Sequence, residues 1–150
     1  MPIDPLAVWA SMPLKTWPER YWFVHVPGDR SDLILAVLNS TSSAYCCINQ
    51  DQGGFSLVVD EDRWTSVFAH AGPLEKYGPL KVVSTDGDLP YDVTGFIKAA
   101  LVPINGAGYK AAPQCGVKFD HFLVPEADIA RVQGLFADFI ASTRRAAVPA

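Results

Sequence analysis

Asp120 and His121, set inside the apolar run from Val117 to Glu126, are the residues of this chain whose types most invite chemistry. A carboxylate beside an imidazole can hold an ammonium group or move a proton. Lys118 precedes them closely and Tyr91 supplies a phenol upstream, so Asp120, His121, Lys118 and Tyr91 are the acid/base set open to an enzyme. Spacing limits that use. If Phe119 to Val124 is a strand, successive side chains point to opposite faces, and Asp120 and His121 cannot share one pocket without a bulge. No nucleophile elbow, phosphate loop or paired-carboxylate motif accompanies them. His25 and His70 lack metal-ligand spacing to each other, to a cysteine or to a carboxylate, so neither a metal nor another cofactor is expected. Cys46, Cys47 and Cys115 fit neither a disulfide framework nor a zinc site and read as small apolar residues, with Cys115 the most open to solvent.

The elements that must position these residues can be read from periodicity and turn chemistry. Gly116 and Lys118 supply a turn into the Phe119–Val124 strand, and Pro125-Glu126 opens a helix whose apolar stripe is Ile129, Val132, Phe136, Phe139 and Ile140. Leu80 to Ser84 reads as a strand. Asp92 can cap a helix carrying Val93, Phe96, Ile97, Ala100 and Leu101 until Pro103 kinks or ends it. Gly95 in the first turn of that helix suggests that a strand or a ligand approaches its backbone closely. Tyr109 to Cys115 is a further strand. Upstream, Tyr21 to Val26 is a strand closed by Pro27-Gly28, and Asp32 to Leu38 can be helix or strand. Ala44 to Asn49 and Phe55 to Val59 form an antiparallel pair across Gln50 to Gly54. Residues 1–19 carry four prolines around Trp9 and Trp17 and read as an ordered arm anchored by its aromatic rings.

The composition fits these elements into a globule. The chain has 150 residues, 49% of them hydrophobic and 19% charged, enough for one compact unit or two small ones sharing a core. A net charge of −4 with scattered lysines gives no electrostatic footprint for nucleic acid. No apolar run approaches the roughly 20 residues that span a bilayer, and the N-terminus lacks a secretory leader pattern, so neither nucleic acid nor membrane is an expected partner and the expected location is cytoplasmic.

From Leu80 onward the order is strand, helix, strand, strand, helix, which is an α+β, ferredoxin-like βαββαβ unit without its last strand. Ala146 to Ala150 are too few to cross the sheet, so a strand from the N-terminal half is expected to complete it by exchange, with Tyr21 to Val26 as the candidate. The expected division is an arm at 1–19, a first, degenerate unit at 20–75 and a second unit at 76–150.

Three blocks then resemble the tandem ACT-domain proteins related to the CASTOR-type arginine sensors: Gly54-Phe55-Ser56-Leu57-Val58, Pro90-Tyr91-Asp92-Val93-Thr94-Gly95, and Val117 through Glu126. The resemblance covers most of residues 50–145, thins over 20–50 and is absent from the first 19. It implies two ACT-like units with a small ligand, typically an amino acid, between them, and leaves room for a homodimer. Carried over residue by residue, the resemblance places Ser56 and Leu57, then Val93, Thr94 and Gly95, then Gly116, Val117 and Asp120 at the ligand. Val93 stands where the arginine sensors have an acidic residue, which removes a charge that would hold a cationic side chain and argues against arginine.

Two functional classes follow, a small-molecule sensor or regulatory module and a small isomerase, cyclase or hydrolase that uses the same pocket on a less polar substrate. A third, an interaction module docking through Trp9, Trp17 or a sheet edge, rests on the arm.

Overall fold

The computed structural model describes residues 1–147. The chain order is α1 (Pro5–Ala10), β1 (Leu14–Thr16), β2 (Tyr21–Val26), α2 (Ser31–Leu38), β3 (Cys47–Asp51), β4 (Gly54–Asp60), α3 (Glu61–Val67), β5 (Lys76–Thr85), α4 (Phe96–Gly106), β6 (Ala112–Cys115), β7 (Asp120–Pro125), a 3-10 turn at Glu126–Asp128, and α5 (Ile129–Ala146). The chain is α+β, and its contacts divide it into two compact units: Trp17–Lys81, and a terminal unit made of Met1–Thr16 with Val82–Ala150.

In the Trp17–Lys81 unit the strand order is β3-β4-β2-β5, all antiparallel. β2 pairs with β4 from Tyr21↔Asp60 to Val26↔Phe55, and on its other side meets β5 at Tyr21↔Leu80 and Val24↔Lys76. The apolar alternation of β2 and β4 buries Val24, Val26, Leu57 and Val59 against Leu33, Ile34 and Val37 of α2. α2 resolves the ambiguous Asp32–Leu38 run as helix. Its 3.6-residue period puts Leu33, Ile34 and Val37 inward and leaves Leu35 and Leu38 exposed. Gly54, at φ 117°, closes the β3–β4 turn where a Cβ would lie 2.5 Å from the Val26 carbonyl oxygen. His25 Nε2 lies 2.8 Å from the Gly53 carbonyl oxygen and ties down that same turn.

One buried ion pair organises the far end of this unit. Asp60 is 1% exposed and its carboxylate accepts from the Arg63 backbone N–H and from its Nη1. The guanidinium also donates to Ser40 Oγ and to the carbonyls of Ser42 and Ala44. The planar donor fork therefore fixes the course of the loop between α2 and β3.

In the terminal unit, β7 lies between β5 and β6, and β1 pairs with β5 at Leu14↔Thr85 through Thr16↔Val83. The core joins Trp9 and Met12 to Val83, Phe96, Ile104, Phe122, Val124, Val132 and Phe136. Trp9 is fully buried. Its ring stacks on Phe96 with centroids 4.1 Å apart, and its indole N–H donates to the Phe96 carbonyl.

Several expectations can be placed here. Residues 1–16 are held by the buried Trp9 ring, as expected of a segment anchored by its aromatic rings, and they also carry a short helix: Asp4 caps it, Pro5 stands at its first position, and it delivers Trp9 into the core. As expected, Tyr21–Val26 joins the strand that carries Leu80, meeting it at Tyr21↔Leu80, and Leu14–Thr16 is a second strand from the N-terminal end that pairs with β5, at Leu14↔Thr85 through Thr16↔Val83. The contacts divide the chain at Trp17–Lys81 and at Met1–Thr16 with Val82–Ala150, beside the expected bounds of 20–75 and 76–150. α4 begins at Phe96, not after Asp92, and continues through Pro103 to Gly106, since a proline in the last turns removes a single hydrogen bond. The last five residues of the chain, expected to be too short for a strand, include 148–150, which lie outside the described residues.

Candidate functional site

A cavity of about 380 Å³ opens in the terminal unit between the start of α4 and the β6–β7 hairpin. Two local features of sequence build it. The segment before α4 cannot be helical through Gly95, which holds φ 82° and ψ 8° in the left-handed region that glycine alone enters freely. A Cβ there would meet nothing closer than Pro5 Cγ at 3.9 Å, so this glycine answers a dihedral requirement and not the close approach expected from its position. No side chain caps α4, and its first backbone N–H groups carry the partial positive end of the helix dipole.

The opposite wall is the hairpin. Gly116 N–H donates to the Phe119 carbonyl at 2.9 Å, and a Cβ on Gly116 would lie 2.9 Å from that same oxygen, so the tight turn requires glycine. Val117 on the turn lines the cavity, as do Cys115 and Asp120 at its two feet, where they are direct Cα partners. Thr85 Oγ1 accepts from the Asp120 backbone N–H at 3.0 Å and fixes the start of β7.

Asp120 is 7% exposed. Burial pushes its carboxyl above the usual carboxylate range, and a hydrogen bond from the Cys115 thiol pulls it partly back. The Cys115 thiol is in turn raised by burial, by the Asp120 charge and by that same hydrogen bond. Asp120 is thus a desolvated carboxylate facing a cavity whose other wall is a helix N-terminus.

The expected site residues separate cleanly. Val93, Gly95, Gly116, Val117 and Asp120 line this cavity together, with Tyr91 at its mouth, 82% exposed. Thr94 is exposed on the approach to α4 and does not line it. Ser56 and Leu57 belong to the other unit: Ser56 is the Cα partner of His25 and Asn49 on β4, and Leu57 is fully buried in that unit's core.

The acid/base set is dispersed as well. His121 alternates to the face opposite Asp120, its Nδ1 2.6 Å from Ser84 Oγ, and burial lowers its pKa. Lys118 lines a neighbouring cleft with Asp86, Asp88 and Phe119 and not this cavity. Sequence reasoning missed Leu89, Pro90, Phe96, Ile97 and Lys98, which with Cys115 complete the lining. The Cys115–Asp120 contact was also missed. Its signal was the hairpin register, which sets residues on either side of a four-residue turn opposite one another.

Among the described residues, no helix is long and apolar enough to cross a membrane. No protein-family model matches the chain, and no curated protein matches it. Solved structures do. A Vibrio cholerae protein of unknown function is 20% identical with a TM-score of 0.66, over 88% of this chain and 92% of its own. An Agrobacterium tumefaciens protein is 19% identical with a TM-score of 0.68, over 85% and 88%. The regulatory subunit of aspartate kinase from Thermus flavus is 10% identical with a TM-score of 0.57, over 85% and 95%. The chain therefore has the α+β fold of the regulatory subunits of aspartate kinase.

Proposed function

We propose that this chain is an amino-acid-binding regulatory or sensor module whose ligand occupies the cavity between the start of α4 and the β6–β7 hairpin. The observation that carries the reading is the pairing of opposite electrostatic walls. An uncapped helix N-terminus suits a ligand carboxylate. Across from it, the buried Asp120 carboxylate suits an ammonium group, and bringing one in restores the favourable environment that burial removes. Between them lie Leu89, Val93, Ile97 and Val117, apolar side chains that match an amino acid with an apolar side chain. Val93 in place of an acidic residue separates this site from that of the CASTOR-type arginine sensors.

The fold likeness to the regulatory subunits of aspartate kinase supports a regulatory role. The enzymatic alternative is weaker on geometry, because Asp120 and His121 face opposite sides of β7 and Lys118 lies in a different cleft.

The test is a thermal-shift screen of the standard amino acids. A ligand at about 100 times its dissociation constant adds roughly 2.7 kcal/mol to the native state, or on the order of 5–10 °C for a chain of this size. Leucine, isoleucine, valine or methionine should raise the melting temperature and arginine should not. A flat response to every amino acid at high concentration sinks the proposal.

A further inference from the structure

We infer that Trp22 and Trp64 of the Trp17–Lys81 unit form a cation-binding cage for a small quaternary ammonium compound, which Lys76 of the same chain covers. The Lys76 ammonium lies 4.0 Å from the Trp22 ring centroid and 4.4 Å from that of Trp64, so one cationic point faces two indole rings. Both distances are well inside the roughly 6 Å over which a ring quadrupole attracts a cation, and tryptophan is the strongest such partner.

The walls are held without the lysine. Trp22 donates its indole N–H to the Glu61 carboxylate. Its six-membered ring lies against Gly78, where a Cβ would come within 2.8 Å of Trp22 Cε3 and where φ is 144°. Only glycine permits that backbone beneath the ring. Trp64 stacks on Phe68 with centroids 5.1 Å apart and an interplanar angle of 18°. Each ring is therefore fixed by neighbours other than the cation it faces. The Glu61 carboxylate adds negative charge at one wall.

The cover, in contrast, is removable. Lys76 is exposed, and its long side chain gives up rotamer freedom to sit between the rings. It can be displaced without disturbing a core. A quaternary ammonium ion is the class that best exploits such a site. It is large enough to touch both faces, and it is weakly hydrated, so it loses less on leaving water than a primary ammonium does. This site is independent of the cavity at α4, and the two readings succeed or fail separately.

The test titrates the intact chain with choline and with 3,3-dimethylbutan-1-ol, its neutral isostere, while following the indole N–H signals of the four tryptophans by NMR. Choline should shift the Trp22 and Trp64 signals and leave Trp9 and Trp17 in place, and the isostere should shift none. Lys76→Ser should lower the half-saturating choline concentration by roughly tenfold, because the cage no longer spends most of its time covered. Trp64→Leu, checked for folding by circular dichroism, should lose the response. The inference is overturned if choline moves neither indole in folded Lys76→Ser protein, or if the isostere binds as well as choline. Tighter binding of a trimethyllysine peptide than of choline would overturn the assignment to a small solute in favour of protein recognition.

Discussion

Replacing Asp120 by asparagine separates the ligand role of this residue from its structural one. The side chain is nearly isosteric, it can still meet the Cys115 thiol, and the backbone bond to Thr85 is untouched, so the variant should fold. It loses only the charge. A charge-assisted hydrogen bond to a buried partner is worth about 1.5–3 kcal/mol, so binding of the responding amino acid should weaken by roughly 10- to 150-fold. Isothermal titration of both proteins at pH 7.5 measures that ratio.

The same substitution should change unliganded stability with the opposite sign. Asp120 has a folded pKa raised above its unfolded value, so between the two values the folded state binds more protons than the unfolded one. Stability then falls as pH rises through that window, and the penalty is complete above the folded pKa and absent below the ordinary value near ~3.9. Asp120→Asn should melt higher than the parent at pH 7.5, and the gap should close as the pH approaches the ordinary carboxylate value. Equal affinities in the two proteins would remove Asp120 from the site. A variant less stable than the parent at pH 7.5 would refute the reasoning about its buried charge.

Other substitutions probe the scaffold. Trp9→Ala should cost about 3–5 kcal/mol in urea unfolding, since it empties the stack on Phe96 at the centre of the terminal unit; a loss below 1 kcal/mol would show that this ring does not anchor the N-terminal segment. Arg63→Ala should cost roughly 3–5 kcal/mol by leaving Asp60 buried without its partner, and Arg63→Lys should fail to recover most of it, because an ammonium cannot reach the same fork of acceptors. His121 has its pKa lowered by burial, so the unfolded chain takes up the proton first as pH falls below ~6.5, and stability is lost through that window. Melting curves from pH 7 to 5 should show His121→Gln losing less stability than the parent, and parallel curves would show that the imidazole is not the group responsible.

Much of this was legible along the chain. The β2 strand at Tyr21–Val26 matches its expected limits because its aromatic and β-branched composition and the Pro27-Gly28 stop act locally. The α5 stripe was equally clear, with Val132, Phe136 and Ile140 buried at helical spacing. Alternation along β7 sufficed to send Asp120 and His121 to opposite faces. The start of α4 was misplaced, because the capping chemistry of Asp92 was read where the left-handed Gly95 sets the boundary. Local rules rank cap residues but do not reveal which dihedral the chain adopts.

The amino-acid sequence by itself therefore determined the α+β class, most of the elements and the polar residues worth testing, since these depend on periodicity and turn chemistry within a few residues. Only the tertiary structure decided which of them meet. Trp9 reaches Phe96 across 87 positions, and Leu14–Thr16 pairs with the end of β5. Asp120 joins Cys115 and Val93 at one cavity while Ser56 and Leu57 fall in the other unit. Such partners are selected by burial and long-range strand pairing, in which many apolar segments of similar composition compete. No local pattern records the winner of that competition.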